Sequence, residues 1–257
     1  MPDDAWAVLA DRFVDGAYAT VKGQVRTFIL HRQLLAHLPE PPATVLDVGG
    51  GAAHQSLPLA RLGYQVTVLD SSAAMLARAE QRLADEPPAV RRRVRLVESP
   101  GEDASGATNG ERFAAVLCHG VLMYLAQPEP MVRELCRCVA PGGVVSIMAL
   151  NAATMAVRPA LDQRWSDALT AFDATGETGV LGAETRADTV DHLSRLLDHG
   201  DTRVEAWYGG WLFSDWLVLP LATTDVAAVA AVELEASRRD PYRQLSRVFH
   251  LVGRRES

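Results

Sequence analysis

Along residues 44–150, short unbroken apolar runs alternate with segments whose apolar positions recur at helical spacing. "TVLDV", "QVTVLD", "VRLVES", "FAAVLCHG" and "VVSIMAL" read as strands, with "AAHQSLPLARLG", "SSAAMLARAEQRLADE" and "QPEPMVRELCRCVAPGG" as helices among them. The first of these helices closes at Gly63, the second opens on a serine cap, and the third has proline near its start and a Pro-Gly-Gly exit. Strands without polar alternation are buried on both faces, so this order predicts parallel strands with helical crossovers on both sides. Upstream, "DDAWAVLADRFV" and "KGQVRTFILHRQLLAHL" predict two N-terminal helices, the second stopped by the prolines of "PEPPA". After Asn151, "ATMAVRPALDQRWSDALTAF" and "ADTVDHLSRLLDHG" predict helices, with "DATGETGVLGAET" as a loop between them. "VEAWYGGWLFSDWLV" predicts a strand broken by a double glycine, "TTDVAAVAAVELEASRRD" a helix, and "RVFHLVGRR" a closing strand. The expected fold class is α/β, a doubly wound, mostly parallel seven-stranded sheet with N-terminal helices and a helical insertion after the fifth strand.

Composition narrows the partners. With 48% apolar residues among 257, the chain has ample material for one large core. Its 25 basic and 32 acidic side chains give a net charge of −7, so the chain as a whole does not advertise nucleic acid. The clearest basic cluster is Arg91, Arg92, Arg93 and Arg95, ahead of the third strand, and it reads as a solvated edge. Cys118, Cys136 and Cys138 have neither a disulfide framework nor a metal-ligand spacing, which points to reduced thiols in the cytoplasm and to no metal. The acidic, amphipathic N-terminus is no signal peptide, and no apolar run reaches the roughly 20 residues of a membrane span.

Candidate chemistry gathers around "TVLDVGGGAAHQSLPLARLGYQVTVLD". In an open parallel sheet, ligands settle at the carboxyl ends of strands. Gly49, Gly50 and Gly51 follow the first strand, where glycines allow a tight turn and a close approach to the main chain. Asp70 ends the second strand, where a carboxylate meets ribose hydroxyls. A dinucleotide site wants a third glycine three residues beyond Gly51, where this chain has His54. Asp47, two residues before the first glycine, disfavours a pyrophosphate and favours a ligand carrying an ammonium group. S-adenosylmethionine carries an amino group and a sulfonium, and fits that order of residues.

At this point the chain resembles a family. "VLDVGGG", the acid ending the second strand and "VAPGG" before the fifth are similar to class I S-adenosylmethionine-dependent methyltransferases with a Rossmann-like fold. The segments at 18–35, 117–132, 149–155, 212–217 and 240–255 resemble bacterial tRNA 5-carboxymethoxyuridine methyltransferases, "KGQVR" and "LCHGVL" most specifically. That resemblance implies a single methyltransferase domain over 1–257, with a helical lid at 1–40, a cofactor-binding core at 41–150, a helical insertion at 151–202 and closing strands and helix at 203–257. It places cofactor contacts on Arg26, Gly49, Gly50, Asp70, Gly101, Glu102 and His119. Asp47, Gly51, Ser71 and Asp103 adjoin them and join the candidate set. Arg26 suits the methionine carboxylate as a bidentate partner, and Glu102 or Asp103 suits the adenine amine.

Methyl transfer from a sulfonium is an in-line displacement that depends on holding the nucleophile close and aligned. A carboxylate acceptor needs no general base, whereas an alcohol or amine must lose a proton. His119, Tyr124 and Asn151 are the candidates beside the methyl group, and Tyr18, Lys22, Tyr242 and Arg247 the candidates for the acceptor. The family's lysine-rich stretch in the insertion is not matched by "DATGETGVLGAETRAD". The acceptor therefore stays open between the carboxylate of a tRNA wobble base and a small molecule methylated at O or N. For the latter, Trp207, Trp211 and Trp216 offer an apolar lining. A non-catalytic binding subunit built on the cofactor fold is the third reading.

Overall fold

The computed structural model describes residue 16 and residues 18–179, 182 and 184–256. The first predicted helix, in "DDAWAVLADRFV", lies outside them. Seven strands form one sheet in the order β3-β2-β1-β4-β5-β9-β8: β1 (Thr44–Val48), β2 (Gln65–Asp70), β3 (Val94–Glu98), β4 (Phe113–His119), β5 (Val139–Leu150), β8 (Thr202–Gly210) and β9 (Val248–Arg255). β1 to β5 are mutually parallel, and β9 runs antiparallel between β5 and β8. The seven-stranded, mostly parallel sheet expected from the apolar runs is therefore present. Strand order reverses at β1 and β4, which opens a crevice at their carboxyl ends.

Helices cover both faces. α1 (Val21–Leu35), capped by the Thr20 hydroxyl, packs Leu34 toward a cluster with Val45, Leu117, Val144 and Val252. α2 (Ser56–Leu62) ends on Gly63 in the left-handed region, and α3 (Ala73–Ala84) starts on the Ser72 cap. α4 (Glu129–Cys138) and α5 (Val190–Asp198) lie on the other face, where Leu135 and Leu193 meet Val116, Ile147 and Phe249. Cys118, Cys136 and Cys138 are buried, free thiols in that core. Among the described residues no group of His, Cys, Asp or Glu could hold a metal, and no helix is long and apolar enough to cross a membrane.

Three local expectations change. The insertion contains short helices at Val157–Leu161 and Trp165–Ala171, but the segment expected as a loop forms a hairpin of β6 (Gly176–Thr178) and β7 (Glu184–Arg186). Its pairs are too few to show alternation, and a Cβ at Gly176 would lie 2.4 Å from the Thr185 carbonyl oxygen. The strand through the double glycine stops at Gly210, and the chain turns through Trp211 at φ +57° into a short helix, Phe213–Trp216. Buried Glu233, on α6 (Val226–Ala236), holds that turn by accepting hydrogen bonds from the Leu212 and Ser214 amides. The helix after β1 starts at Ser56, later than expected, because residues 51–55 continue the glycine turn.

Candidate functional site: a cofactor cleft bordered by a cationic cluster

The carboxyl ends of β1, β4 and β5 and the inner face of α1 enclose a cleft lined by Tyr18, Arg26, Asp47, Gly49, Gly50, His54, Gln55, His119 and Met148. Its floor is the turn after β1. Gly49 and Gly51 have φ of +68° and +51°, which β-carbon residues rarely adopt. A Cβ on Gly49, Gly50 or Gly51 would meet Val121, Asp47 and Val68, or Met75, respectively. The bare backbone is thus required by the protein's own packing as well as by the cleft that Gly49 and Gly50 line. The amides decide between ligands. Gly49 and Gly50 donate to the Leu69 carbonyl, and Gly51 donates to Asp70 Oδ2 at 2.8 Å. With all three glycine N–H groups spent inside the protein, none of them is left to bind a pyrophosphate.

The cleft instead presents separated charges. Asp47 is buried and accepts from Ser56 Oγ at 2.6 Å; burial first, with the Asp70 charge adding, pushes its carboxyl up to about 6. Asp70 accepts the Gly51 and Ser72 amides, and burial raises its carboxyl as well. Neither makes an ion pair among the described residues. Across the cleft the Arg26 guanidinium is only 8% exposed and has no carboxylate partner among the described residues. It stacks 4.3 Å from the Tyr18 ring and 5.3 Å from the Trp211 ring. His119 Nδ1 and Gln55 Nε2 are buried at the same cleft without hydrogen-bond partners among the described residues. Among the described residues, acids and a guanidinium without ion pairs and two polar atoms without partners fit an amino acid joined to a nucleoside: Arg26 for its carboxylate, Asp47 for its ammonium and Asp70 for its ribose. Tyr18 stacks on His54 with ring centres 3.6 Å apart, and both line the cleft.

The remaining candidates separate into groups. Tyr124 lies close enough for Arg26 and Tyr18 to act on its hydroxyl, which burial raises above its ordinary value. Gly101 packs against Val48 and Met131 beside the end of β1, whereas Glu102 and Asp103 are exposed. Ser71 is exposed, and it is the next residue, Ser72, that caps α3. Asn151 is corrected from a catalytic to a structural position. Its amide donates to the Gln244 and Ser246 carbonyls and its oxygen accepts from the Ala153 amide, so the side chain is fully engaged. Tyr18, expected on the acceptor, stands in the cofactor cleft. Tyr242 is 47% exposed beside Phe213, apart from the cleft. Arg91 and Arg92 are exposed, Arg93 donates to Ala60, and Arg95 pairs with Glu111. All four precede or start β3, at the edge of the sheet opposite the cleft.

Lys22 and Arg247 do come together, with three residues that sequence reasoning did not single out. Buried Asp215 pairs with Lys22 and with Arg158, while Arg247 pairs with Glu177. Lys22 also sits 4.2 Å over the Trp211 ring. Burial lowers the Lys22 ammonium despite Asp215, with Arg158 and Arg247 lowering it further. Burial, then Arg158, pushes Arg247 down to about 10. Trp211 thus carries Lys22 on one side of a cluster that Arg26 joins to the cleft, whereas Trp207 packs in the core under Arg243. Replacing Asp70 by Ala should weaken S-adenosylhomocysteine binding by about 1–3 kcal/mol through unpaired ribose hydroxyls, as read by calorimetry. Unchanged affinity would mean that the ribose lies elsewhere.

Comparison with known proteins follows the same line. Residues 46–147 match the family model described as a methyltransferase domain. The chain is 27% identical to the tRNA 5-carboxymethoxyuridine methyltransferase of Escherichia coli (strain K12), over 99% of this chain and 97% of that one. It is 30% identical to the ubiquinone biosynthesis O-methyltransferase of Xanthomonas oryzae pv. oryzae, over 58% of this chain and 60% of the relative. Among solved structures, the CcbJ methyltransferase from Streptomyces caelestis superposes with a TM-score of 0.64 at 16% identity, covering 97% of this chain and 96% of that one. The magnesium protoporphyrin IX methyltransferase from Synechocystis, solved with S-adenosylhomocysteine bound, gives 0.64 at 15% identity over 97% and 99% of the two chains.

Proposed function

The chain is an S-adenosylmethionine-dependent methyltransferase, and we propose that its acceptor is an anion, the carboxylate of a 5-carboxymethoxyuridine-type wobble base in tRNA. The observation that carries this reading is the charge balance beside the cleft. Among the described residues, Lys22, Arg158 and Arg247 stand there against Asp215 and Glu177, an excess of one positive charge apart from Arg26, with Arg247 buried and Lys22 and Arg158 partly exposed. Unbalanced buried cations are costly unless an anion completes them. The full-length likeness to a tRNA 5-carboxymethoxyuridine methyltransferase supports the same acceptor.

S-adenosylmethionine, when bound, supplies a methyl carbon on a sulfonium, which an ionised carboxylate attacks without first losing a proton. The protein's part is to bind, orient and keep water out. Asp47 and Arg26 hold the two charges of the amino-acid end, and Asp70 the ribose. Lys22 and Arg247 draw the acceptor carboxylate toward the cleft. His119, kept neutral by burial at a value of about 3, has no proton to take from such an acceptor and is not required to act as a base.

The test uses methyl-labelled S-adenosylmethionine and tRNA from cells lacking the gene. We expect label that is acid-precipitable, sensitive to ribonuclease and released by mild alkali, as a methyl ester is. Label that stays acid-soluble and ignores the nuclease assigns a small-molecule acceptor, and alkali-stable label in tRNA assigns an N- or O-ether product. Either result removes the proposed carboxylate of tRNA.

A further inference from the structure

His119 on β4 and His250 on β9 stand in register with Met148 of β5 between them, and Ser146 lies two residues earlier on β5, on the same face. Ser146 Oγ bridges the rings, 2.8 Å from His119 Nε2 and 2.7 Å from His250 Nε2. His250 Nδ1 is 2.9 Å from Gln33 Oε1, and Gln33 Nε2 donates to the Gly209 carbonyl. Gln33, Ser146 and His250 are all buried.

This chain of contacts has a direction because it begins at a carbonyl, which only accepts. The Gln33 amide nitrogen must face Gly209, so its oxygen faces His250 and His250 Nδ1 carries hydrogen. His250 is deeply buried and held neutral, so its Nε2 is a bare acceptor and Ser146 donates to it. Ser146 then has only lone pairs left for His119, whose Nε2 must be the protonated nitrogen. His119 Nδ1, the buried atom without a partner at the cofactor cleft, is left as a lone pair.

We propose that Gln33, His250 and Ser146 are positioning residues that lock His119 in its Nε2–H tautomer, presenting the Nδ1 lone pair to the cationic end of the cofactor. A lone pair there suits an ammonium or sulfonium, whereas an N–H or an imidazolium would oppose it. The inference concerns the cofactor side and holds whichever acceptor is methylated, so the labelling experiment and the test below fail independently.

The test is nitrogen NMR of the whole protein with ¹⁵N-labelled histidine, without ligand at pH 7, assigned with His119→Asn and His250→Asn. We expect two neutral rings of opposite tautomer: Nε2–H for His119 and Nδ1–H for His250. An Nδ1–H or charged His119 overturns the proposal without any variant. Gln33→Glu places a carboxylate beside His250, favours its imidazolium and reverses the chain, so His119 should switch to Nδ1–H. S-adenosylhomocysteine affinity should then fall at least tenfold. Ser146→Ala removes the bridge and should leave His119 as a mixture of tautomers with a smaller loss of affinity. A switched or mixed tautomer with affinity within twofold of the parent would overturn the role in cofactor binding.

Discussion

Asp47→Asn should raise the stability of the ligand-free protein at pH 7.5 and weaken its binding of S-adenosylhomocysteine. The Asp47 carboxyl is pushed up to about 6 from an ordinary 3.8 by burial, then by Asp70. Between those values the folded protein holds a proton that the unfolded chain has lost, so stability falls as pH rises through that window. Above it the full cost is present, up to about 3 kcal/mol, and a neutral asparagine does not incur it. The expected result is a variant with a higher melting temperature at pH 7.5 and no difference near pH 4. Binding should show the opposite preference: an ionised Asp47 attracts the ligand's ammonium, so parent affinity should strengthen from pH 5 to 7, and the variant should lose that slope and about tenfold in affinity. His54 and His119, both held at about 3, stay neutral throughout and contribute no slope. Asp70, also raised, contributes in the same direction in both proteins, so the difference isolates Asp47. A variant that melts lower at pH 7.5, or keeps the pH dependence, would refute the assignment.

Glu233→Ala should cost about 3 kcal/mol of stability, because Glu233 accepts from the Leu212 and Ser214 amides and from Ser214 Oγ while 1% exposed. Two buried amides would lose their partner. For a chain of this length the melting temperature should fall by roughly 6–12 °C. The released turn carries Trp211 and Asp215, and Asp215 seats Lys22 and Arg158. The acceptor KM should therefore rise more than the dissociation constant of S-adenosylhomocysteine. Equal changes in both would detach the turn from acceptor binding.

The proposed cofactor half of the candidate site could be picked out because its residues sit at strand ends. Parallel strands buried on both faces read as apolar runs, and Asp47, Asp70 and His119 stand where such runs stop. Ser146 and His250 were hidden for the reason that makes them effective. Each is a polar residue with apolar neighbours on both sides, and only the register of β4, β5 and β9 brings them to His119. Gln33 looks like one polar position on an amphipathic helix until the Gly209 carbonyl gives it an orientation. The proposed acceptor side joins Lys22, Arg158, Asp215 and Arg247 from four distant segments, and no local spacing encodes that meeting. The hairpin in the insertion escaped because three-residue strands are too short to display a period of two. Asn151 misled because a polar residue ending the fifth strand looks the same whether it faces a ligand or caps the backbone beyond it.

α1 carries Lys22 in the cationic cluster, Arg26 at the cleft and Gln33 at the root of the histidine chain, all at helical spacing. Val21, Val25 and Ile29 fasten it to Ala230 of α6, so the three polar side chains stand on one packed rod. Any displacement of α1 therefore moves all three together. Where one substrate changes the affinity for the other, reciprocity makes the factor the same in both directions.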